Sequence, residues 1–270
     1  MISDITFGQY FPTDSIIHKI DPRIKFLLMI FSIVFIFLAK SYWSMLSAVI
    51  FALLCVILSK VPLKVYLKNL KAILPIIIFT AIINSLYINE GQVLFDKWII
   101  TVTTGGLMRA GFMAIRIALL IFISSILTYT TTPNDLTDGI ESLCSPLKFV
   151  GLGSLVHILT MMMTIALRFI PTLIEETQKI MNAQKARGAD IDNGSLINRI
   201  RALIPILIPL LILSVRRAYD LAEAMECRCY NGGVGKKRLK KFKIRYFDII
   251  AVVIALAWGT SIILINIFLG

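Results

Sequence analysis

Two arginines stand at the ends of similar helical segments, 41 residues apart in the chain. Each follows small residues spaced three apart, which share one helix face and leave it shallow enough to enter a groove on another protein. A guanidinium offers a planar fork of donors that can hold a carboxylate through two hydrogen bonds. The predicted docking residues are Ala183, Ala186, Arg187 and Gly188 in the first segment and Ala224, Cys227, Arg228 and Cys229 in the second.

A cation in the last turn of a helix also has a simpler interpretation. It interacts favourably with the negative end of the helix dipole, by about 0.3–1 kcal/mol, without any partner. That explanation suffices for either arginine alone, but the pairing favours a chain that presents two equivalent docking ends to two related proteins. Gly188 suits the left-handed residue that ends a helix, and Asn-Gly-Gly at 231–233 supplies a looser stop for the second segment.

The sequence lacks the residue groupings of common enzymes. Its two histidines, His18 and His157, are too far apart for a zinc motif built on neighbouring histidines. Cys227 and Cys229 could hold a soft metal ion or form a redox pair. The glycine-rich stretch at 232–237 lacks the first glycine and the hydroxyl of a phosphate-binding loop. We therefore predict no catalytic residue, no metal site and no cofactor site in this chain.

The elements that must position these residues belong to a membrane protein. The 270 residues are 57% hydrophobic and only 16% charged, whereas soluble domains are about 45–50% apolar and about 25% charged. This composition excludes an ordinary soluble enzyme, a disordered protein and a small disulfide-rich fold. The net charge of +12 points to membrane topology before nucleic acid.

Five segments are apolar and long enough to cross a bilayer as helices. They are approximately 24–39, 42–58, 72–88, 110–129 and 247–269. With a cytoplasmic N-terminus, 24 Lys and Arg residues face inward and 3 face outward, so the positive-inside rule favours that orientation in a cell membrane. The predicted fold class is an all-α, multi-pass membrane protein.

The region 131–246 differs from these spans because charges and prolines repeatedly interrupt its apolar runs. We predict a membrane-hugging cytoplasmic domain of long amphipathic coupling helices; an extra pair of helices within the membrane is the alternative. The predicted organisation is four spans in 1–130, the coupling-helix domain in 131–246 and a last span in 247–270. Seven cations at 236–245 are expected to bind anionic lipid, with no role in nucleic-acid binding.

Two polar residues within apolar segments have open interpretations. Arg116 could contact a carboxylate or the carbonyls of a helix end, or its side chain could extend to the outer interface. His157 is expected to be a hydrogen-bonded residue of a core or an interface.

Several motifs in order resemble one known family. The Ala-Arg-Gly-type helix ends, the segment Ser15–Lys25 with its His-x-x-Asp-Pro-Arg-x-Lys pattern, Arg168-Phe169-Ile170-Pro171 and Thr132-Pro133-x-x-Leu136 are similar to those of the transmembrane (T) component of energy-coupling factor (ECF) transporters, which is related to cobalt-type permease components. The departure is at the second end, where two cysteines replace alanine and glycine. The N-terminal residues that match are His18, Asp21, Pro22 and Arg23.

The resemblance implies a non-catalytic scaffold subunit. It implies two ABC-type ATPase partners, which bind ATP and magnesium and receive Arg187 and Arg228 in acidic grooves. It also implies a small substrate-binding membrane protein, the S component, which carries a vitamin or metal ion and can be exchanged for others. The apolar faces of the long helices would contact that protein.

Two other classes of function remain as alternatives. A membrane-embedded enzyme would need metal ligands, paired carboxylates or a nucleophile motif, which the sequence does not offer. A stand-alone secondary transporter would normally show repeated halves with broken helices near the bilayer centre. Pro205 and Pro209 faintly resemble such breaks, but no matching segment exists in the first half.

Overall fold

A computed structural model describes residues 10–87, 92–97, 100–144, 146, 153–189, 196–230 and 245–269. Within these ranges the chain forms two compact units. One unit comprises the described residues of 8–139 and 242–270, and the other comprises those of 140–241.

Helices dominate both units, which confirms the all-α fold class. A short 3₁₀ turn at Ile17–Lys19 precedes the first of them. The helices are α1 (Pro22–Leu38), α2 (Tyr42–Ser59), α3 (Leu63–Tyr87), α4 (Thr104–Thr130), α5 (Pro133–Leu143), α6 (Gly153–Ala186), α7 (Leu196–Glu226) and α8 (Tyr246–Leu269).

A small antiparallel hairpin, which the sequence analysis did not foresee, joins α3 to α4. Its strands are β1 (Val93–Lys97) and β2 (Ile100–Thr103), with Lys97 opposite Ile100 and Val93 opposite Thr103. Both strands are rich in β-branched and aromatic residues, which favour extended backbone. Thr103 then begins α4, because its side chain accepts a hydrogen bond from the Gly106 amide.

Six described helices are long and apolar enough to cross a membrane, judged by length and composition: α2, α3, α4, α6, α7 and α8. The expected number was about five, and it included α1, which has 17 residues and is not among the six. Two of the six, α6 and α7, belong to the region predicted as the coupling-helix domain. The multi-pass character of the chain is thus confirmed, while the depth of α6 and α7 in a bilayer stays a prediction.

The unit of 8–139 and 242–270 has its main core where α1, α2, α4 and α8 meet. At Gly259, an added Cβ would lie 2.8 Å from the Phe31 ring, so glycine permits the close approach of α8 to α1. Phe51 stacks on the Trp258 indole with ring centroids 4.1 Å apart. The buried residues of this core are Ile36, Met45, Ala48, Ala52, Leu119, Ile123, Trp258 and Ile262.

Each of the helices α1 and α4 contributes a cationic side chain that binds the carboxyl end of the other helix. The buried Lys25 ammonium near the start of α1 donates to the Thr130 carbonyl at the end of α4 (2.8 Å) and to the Thr131 hydroxyl (3.2 Å). Arg116 of α4 donates to the Ala39 carbonyl at the end of α1 (2.6 Å). This settles the interpretation of Arg116 in favour of a helix-end carbonyl. Each cation thus stabilises the negative end of the neighbouring helix.

Candidate docking site

The first predicted docking end is a regular helix termination. Gly188 takes a left-handed conformation (φ +86°), which glycine adopts without steric cost. Its amide donates to the Lys185 carbonyl (3.0 Å), and the Ala189 amide donates to the Gln184 carbonyl (3.0 Å). These two bonds define a Schellman motif, which satisfies carbonyls left unpaired by the end of α6. Arg187 occupies the cap position just before the left-handed residue.

The second end repeats the same backbone arrangement. Cys229 is left-handed (φ +53°), its amide donates to the Glu226 carbonyl (2.8 Å), and the Tyr230 amide donates to the Met225 carbonyl (3.0 Å). The stop predicted at 231–233 lies outside the described residues. The bonds that end α7 are already made at Cys229 and Tyr230, so this cysteine takes the place that Gly188 has in the first end.

The two ends are therefore equivalent at an offset of 41 residues, as the sequence alignment of Arg187 with Arg228 predicts. Both arginines follow the last helical residue by one or two positions, and both are exposed. The small residues beside them are exposed as well: Ala183, Ala186, Gly188, Ala224, Cys227 and Cys229. Nothing within the described chain covers the predicted docking faces.

An ion pair joins the two long helices. Arg217 Nη2 of α7 lies 3.1 Å from Glu176 Oε1 of α6, and both side chains are about a quarter exposed (25% and 22%). These residues are again 41 positions apart, and each precedes its docking arginine by eleven residues. At 1.5 Å per residue, each arginine stands about 16 Å along its helix from this contact. Sequence reasoning missed the pair because neither residue has a distinctive neighbour.

A second contact shows that α6 and α7 run in opposite directions. The Tyr230 hydroxyl, just after α7, donates to the Met161 sulfur near the start of α6 (2.8 Å). Since Met161 precedes Glu176 while Tyr230 follows Arg217, the helices are antiparallel. The two docking ends consequently extend to opposite sides of the Glu176–Arg217 contact.

Little of the apolar surface of α6 and α7 is buried within the chain. None of the residues in the most apolar stretch of α6 is fully buried, and 6% are in α7, as in α3, against 33% in α2 and α4. Met162 and Met163 of α6 are 61% and 53% exposed. His157 of α6 contacts Glu141 through its Nδ1 atom (3.3 Å), which confirms its predicted hydrogen-bonded role.

The N-terminal motif belongs to the other unit, where it holds the segment before α1. His18 Nε2 donates to the Phe11 carbonyl (2.9 Å), and His18 Nδ1 lies 2.6 Å from the Ser15 hydroxyl. Partial burial is the largest influence on His18 and lowers the pKa of its imidazole, with a smaller contribution from the positive charge of Lys25. The imidazole is accordingly favoured in its neutral form.

Asp21 and Pro22 begin α1. The Asp21 carboxylate accepts from the Arg23 amide (3.0 Å) at the helix N-cap, and proline suits the first helical position. The Asp21 amide in turn donates to the fully buried Asp248 carboxylate of α8 (2.8 Å). Sequence reasoning missed Asp248, because the residue at the helix cap three places earlier is Arg245 and not the Ser or Thr of a capping box.

The described residues contain no group of three or more His, Cys, Asp or Glu side chains arranged to hold a metal ion. The candidate site thus consists of two exposed arginine-bearing helix ends and the ion pair between their helices. Such a site is suited to binding protein partners.

Comparison with known proteins agrees with this description. The family model described as CbiQ, cobalt transport protein, matches residues 13–241. The energy-coupling factor transporter transmembrane protein EcfT of Ruminiclostridium cellulolyticum is 48% identical over 266 residues, 98% of each chain. EcfT of Clostridium kluyveri is 47% identical over the full length of both chains (100%). EcfT of Lactococcus lactis is 45% identical over 93% of this chain and 94% of its own.

These relatives confirm the resemblance drawn from the motifs. A match over most of the chain, with relatives above 40% identity along nearly their whole length, is sufficient to assign membership. The chain belongs to the CbiQ family of cobalt transport proteins, together with the transmembrane proteins of energy-coupling factor transporters.

Proposed function

We propose that this chain is the transmembrane scaffold subunit of an ECF-type ABC importer, in which two cytoplasmic ATPase subunits bind its two arginine-bearing helix ends. The observation that carries the proposal is the equivalence of those ends. Each has a Schellman termination, an arginine at the cap position and exposed small residues on the preceding turn. Two equivalent ends fit two related partners.

The backbone geometry prepares each arginine for a partner carboxylate. Because the Schellman bonds already satisfy the carbonyls before the cap, the guanidinium is not needed to cover them. Its donors are then available for a two-bond contact with an acidic groove residue. The small residues at 183 and 186, and at 224 and 227, let the helix approach the groove wall closely.

The ion pair between α6 and α7 connects the two helices at the same distance from both ends. ATP-driven closure of two bound ATPases would move the helix ends relative to each other. Because Glu176 and Arg217 connect the helices eleven residues before each arginine, such movement would change the arrangement of the two helices about that contact.

The exposed apolar surfaces of α6 and α7 support a second kind of partner. Few residues in the apolar stretches of these helices are fully buried within the chain, so their exposed surfaces must be covered by lipid or by another membrane protein. We assign them to lipid and to interchangeable S components, each carrying its own vitamin or metal ion. Exposed methionines suit a surface that must fit several partners, because methionine repacks readily.

Catalysis belongs to the partners in this proposal. ATP and magnesium would be bound by the ATPase subunits, and this chain would contribute no catalytic residue and no cofactor. Its N-terminus would lie on the cytoplasmic side of the cell membrane, as the distribution of Lys and Arg favours.

Co-purification tests the proposal. The tagged chain, extracted in mild detergent from cells that express it at native level, should retain two ABC-type ATPases and a small multi-span protein that mass spectrometry identifies. The double variant Arg187→Ala, Arg228→Ala should lose both ATPases. Arg216→Ala, which removes an exposed cation from α7 away from the end, should retain them. Full retention by the double variant would contradict the docking role.

A further inference from the structure

We propose that Cys227 and Cys229 form a dithiol that a low-molecular-weight disulfide, such as glutathione disulfide, oxidises to an internal disulfide, and that only the reduced end docks. The effect on docking rests on the proposed function. The oxidation itself does not, because it depends only on the two thiols and their backbone.

Both thiols are accessible. Cys227 and Cys229 are exposed, whereas Cys55 and Cys144 are only partly so. Two residues along a chain span at most about 7 Å, and a disulfide requires its Cα atoms to lie about 4.4–6.8 Å apart. The pair therefore needs a local change of backbone angles to close.

The reduced end already carries conformational strain at one of these residues. Cys229 has a φ of +53°, and only Lys60 among the other non-glycine residues described also has a positive φ. A residue with a Cβ is strained in this region relative to the usual helical conformation. Ring closure that moves Cys229 out of this region relieves that strain, which offsets part of the strain of a small disulfide ring.

The hydrogen bonds that closure would disturb are few and terminal. They are the bonds from the Arg228 and Tyr230 amides to the Met225 carbonyl (3.1 and 3.0 Å) and from the Cys229 amide to the Glu226 carbonyl (2.8 Å). Bonds in the last turn of an exposed helix open at low free-energy cost. The helix before Met225 can remain intact when the end reorganises.

The reaction balances through thiol–disulfide exchange. The thiolate of one cysteine attacks a sulfur of glutathione disulfide, forms a mixed disulfide and releases one glutathione thiolate. The second cysteine thiolate attacks the protein sulfur of that mixed disulfide, closes the ring and releases the other glutathione. The dithiol is oxidised by two electrons, glutathione disulfide is reduced, and the two thiol protons are taken up by the glutathione thiolates.

The consequence is confined to one docking end. Arg228 lies between the two cysteines, so closure changes the backbone on both sides of the residue proposed to enter the groove. The first end has Ala186 and Gly188 at the equivalent positions and cannot undergo this reaction. Oxidation would thus release one ATPase subunit and leave the other bound.

Mass spectrometry of the full chain in detergent, treated with glutathione disulfide, tests the chemistry. The peptide that contains both cysteines should lack two hydrogens, carry no glutathione and return to its original mass with a reductant. Glutathione attached to both cysteines, no reaction at either, or a retained soft metal ion that blocks the reaction would overturn the proposal.

Matched variants test the role of the pair. Cys227→Ala and Cys229→Gly should each stop at the mixed disulfide, since no second thiol is available. The transplanted pair Ala186→Cys, Gly188→Cys, made together with Cys227→Ala and Cys229→Gly, should close at the first end. If the transplanted pair failed to close, the disulfide could not be attributed to the backbone termination that the two ends share.

Docking is measured separately. The oxidised wild-type chain should capture about half as much total ATPase as the reduced chain, and a variant with Cys227→Ala and Cys229→Gly should capture equal amounts under both conditions. Unchanged capture after complete ring closure would overturn the regulatory part of the proposal. If the double arginine variant also captured normally, the docking function would fail while the result on the disulfide would stand.

Discussion

The two docking ends share a backbone and differ in their side chains. Both terminate through the same pair of hydrogen bonds at an offset of 41 residues. The first end carries Lys185 beside its arginine, whereas the second has Glu226 at the equivalent position and Glu223 one turn earlier. The first is thus positively charged and the second close to neutral or negative.

This difference indicates that shape and charge have separate roles. The backbone termination sets how each arginine is presented, and it is the same at both ends. Neighbouring charges influence association rate and choice of partner more than they influence the contact itself. We expect the more acidic of two related grooves to receive Arg187 and the less acidic one to receive Arg228.

The largest effect should come from the arginines. Arg187→Ala or Arg228→Ala leaves a partner carboxylate unpaired in an interface, which costs about 2–5 kcal/mol and weakens that contact roughly 30-fold or more. Titration of each purified ATPase against each variant should show that one arginine affects one ATPase. If each variant weakened both ATPases equally, the assignment of one end to one partner would be wrong.

Substitution of the two left-handed residues should change the stability of their helix ends in opposite directions. Gly188→Ala should destabilise the first end by about 1 kcal/mol, while Cys229→Gly should stabilise the second by up to about 1 kcal/mol. An added Cβ at Gly188 meets no atom within 4 Å, so the effect belongs to the backbone. Hydrogen exchange of peptides covering 184–189 and 225–230 measures both changes.

Gly111 provides the control for this comparison. It lies inside α4, also with no atom within 4 Å of an added Cβ and with no positive φ. Gly111→Ala should therefore stabilise its helix by about 0.5–1 kcal/mol. The same sign of effect at Gly111 and Gly188 would contradict the left-handed assignment of Gly188.

The ion pair should affect both ends alike. Glu176→Gln removes one charge of a partly exposed pair, which contributes about 0.2–1 kcal/mol, and should increase hydrogen exchange equally at 184–189 and 225–230. Lys179→Ala, which removes a 69%-exposed neighbour of Glu176, should have a smaller effect. An increase of hydrogen exchange at only one end would show that the contact does not act on both ends.

Acidification should loosen the N-terminal segment. Because folding lowers the pKa of His18 below its usual 6.5, the unfolded segment binds a proton more readily than the folded one. The stabilising contribution is present above the usual value and is lost as the pH falls through the folded value. Proton uptake at His18 should increase exchange at residues 11–18, and His18→Gln should remove that pH dependence.

Several of the long apolar helices can be predicted from the length of apolar segments alone. The predicted spans at 42–58, 110–129 and 247–269 lie inside α2, α4 and α8. Helix α3 begins at Leu63, earlier than the predicted 72, because a search for apolar segments passes over the lysines of its first turns, which are good helix formers. The sequence between β1 and β2 has only a weak turn signal, so it does not distinguish a hairpin from a loop.

The candidate site was predictable in part for similar reasons. The spacing of small residues before Arg187 and Arg228 is local, so the sequence alone indicates the two ends. The Glu176–Arg217 contact depends on how α6 meets α7, which no short pattern encodes. The left-handed conformation of Cys229 was not predicted either. A left-handed residue at a helix end is usually glycine, and here the termination of the helix prevails over that residue preference.

The reciprocal contacts of Lys25 and Arg116 have a mechanical consequence. Each cation binds the last carbonyls of the opposite helix, at the two ends of the α1–α4 pair. Sliding of one helix past the other by a single turn, about 5.4 Å, would break both contacts at once. The pair therefore resists shear along its length, and a load applied to either helix is carried by both.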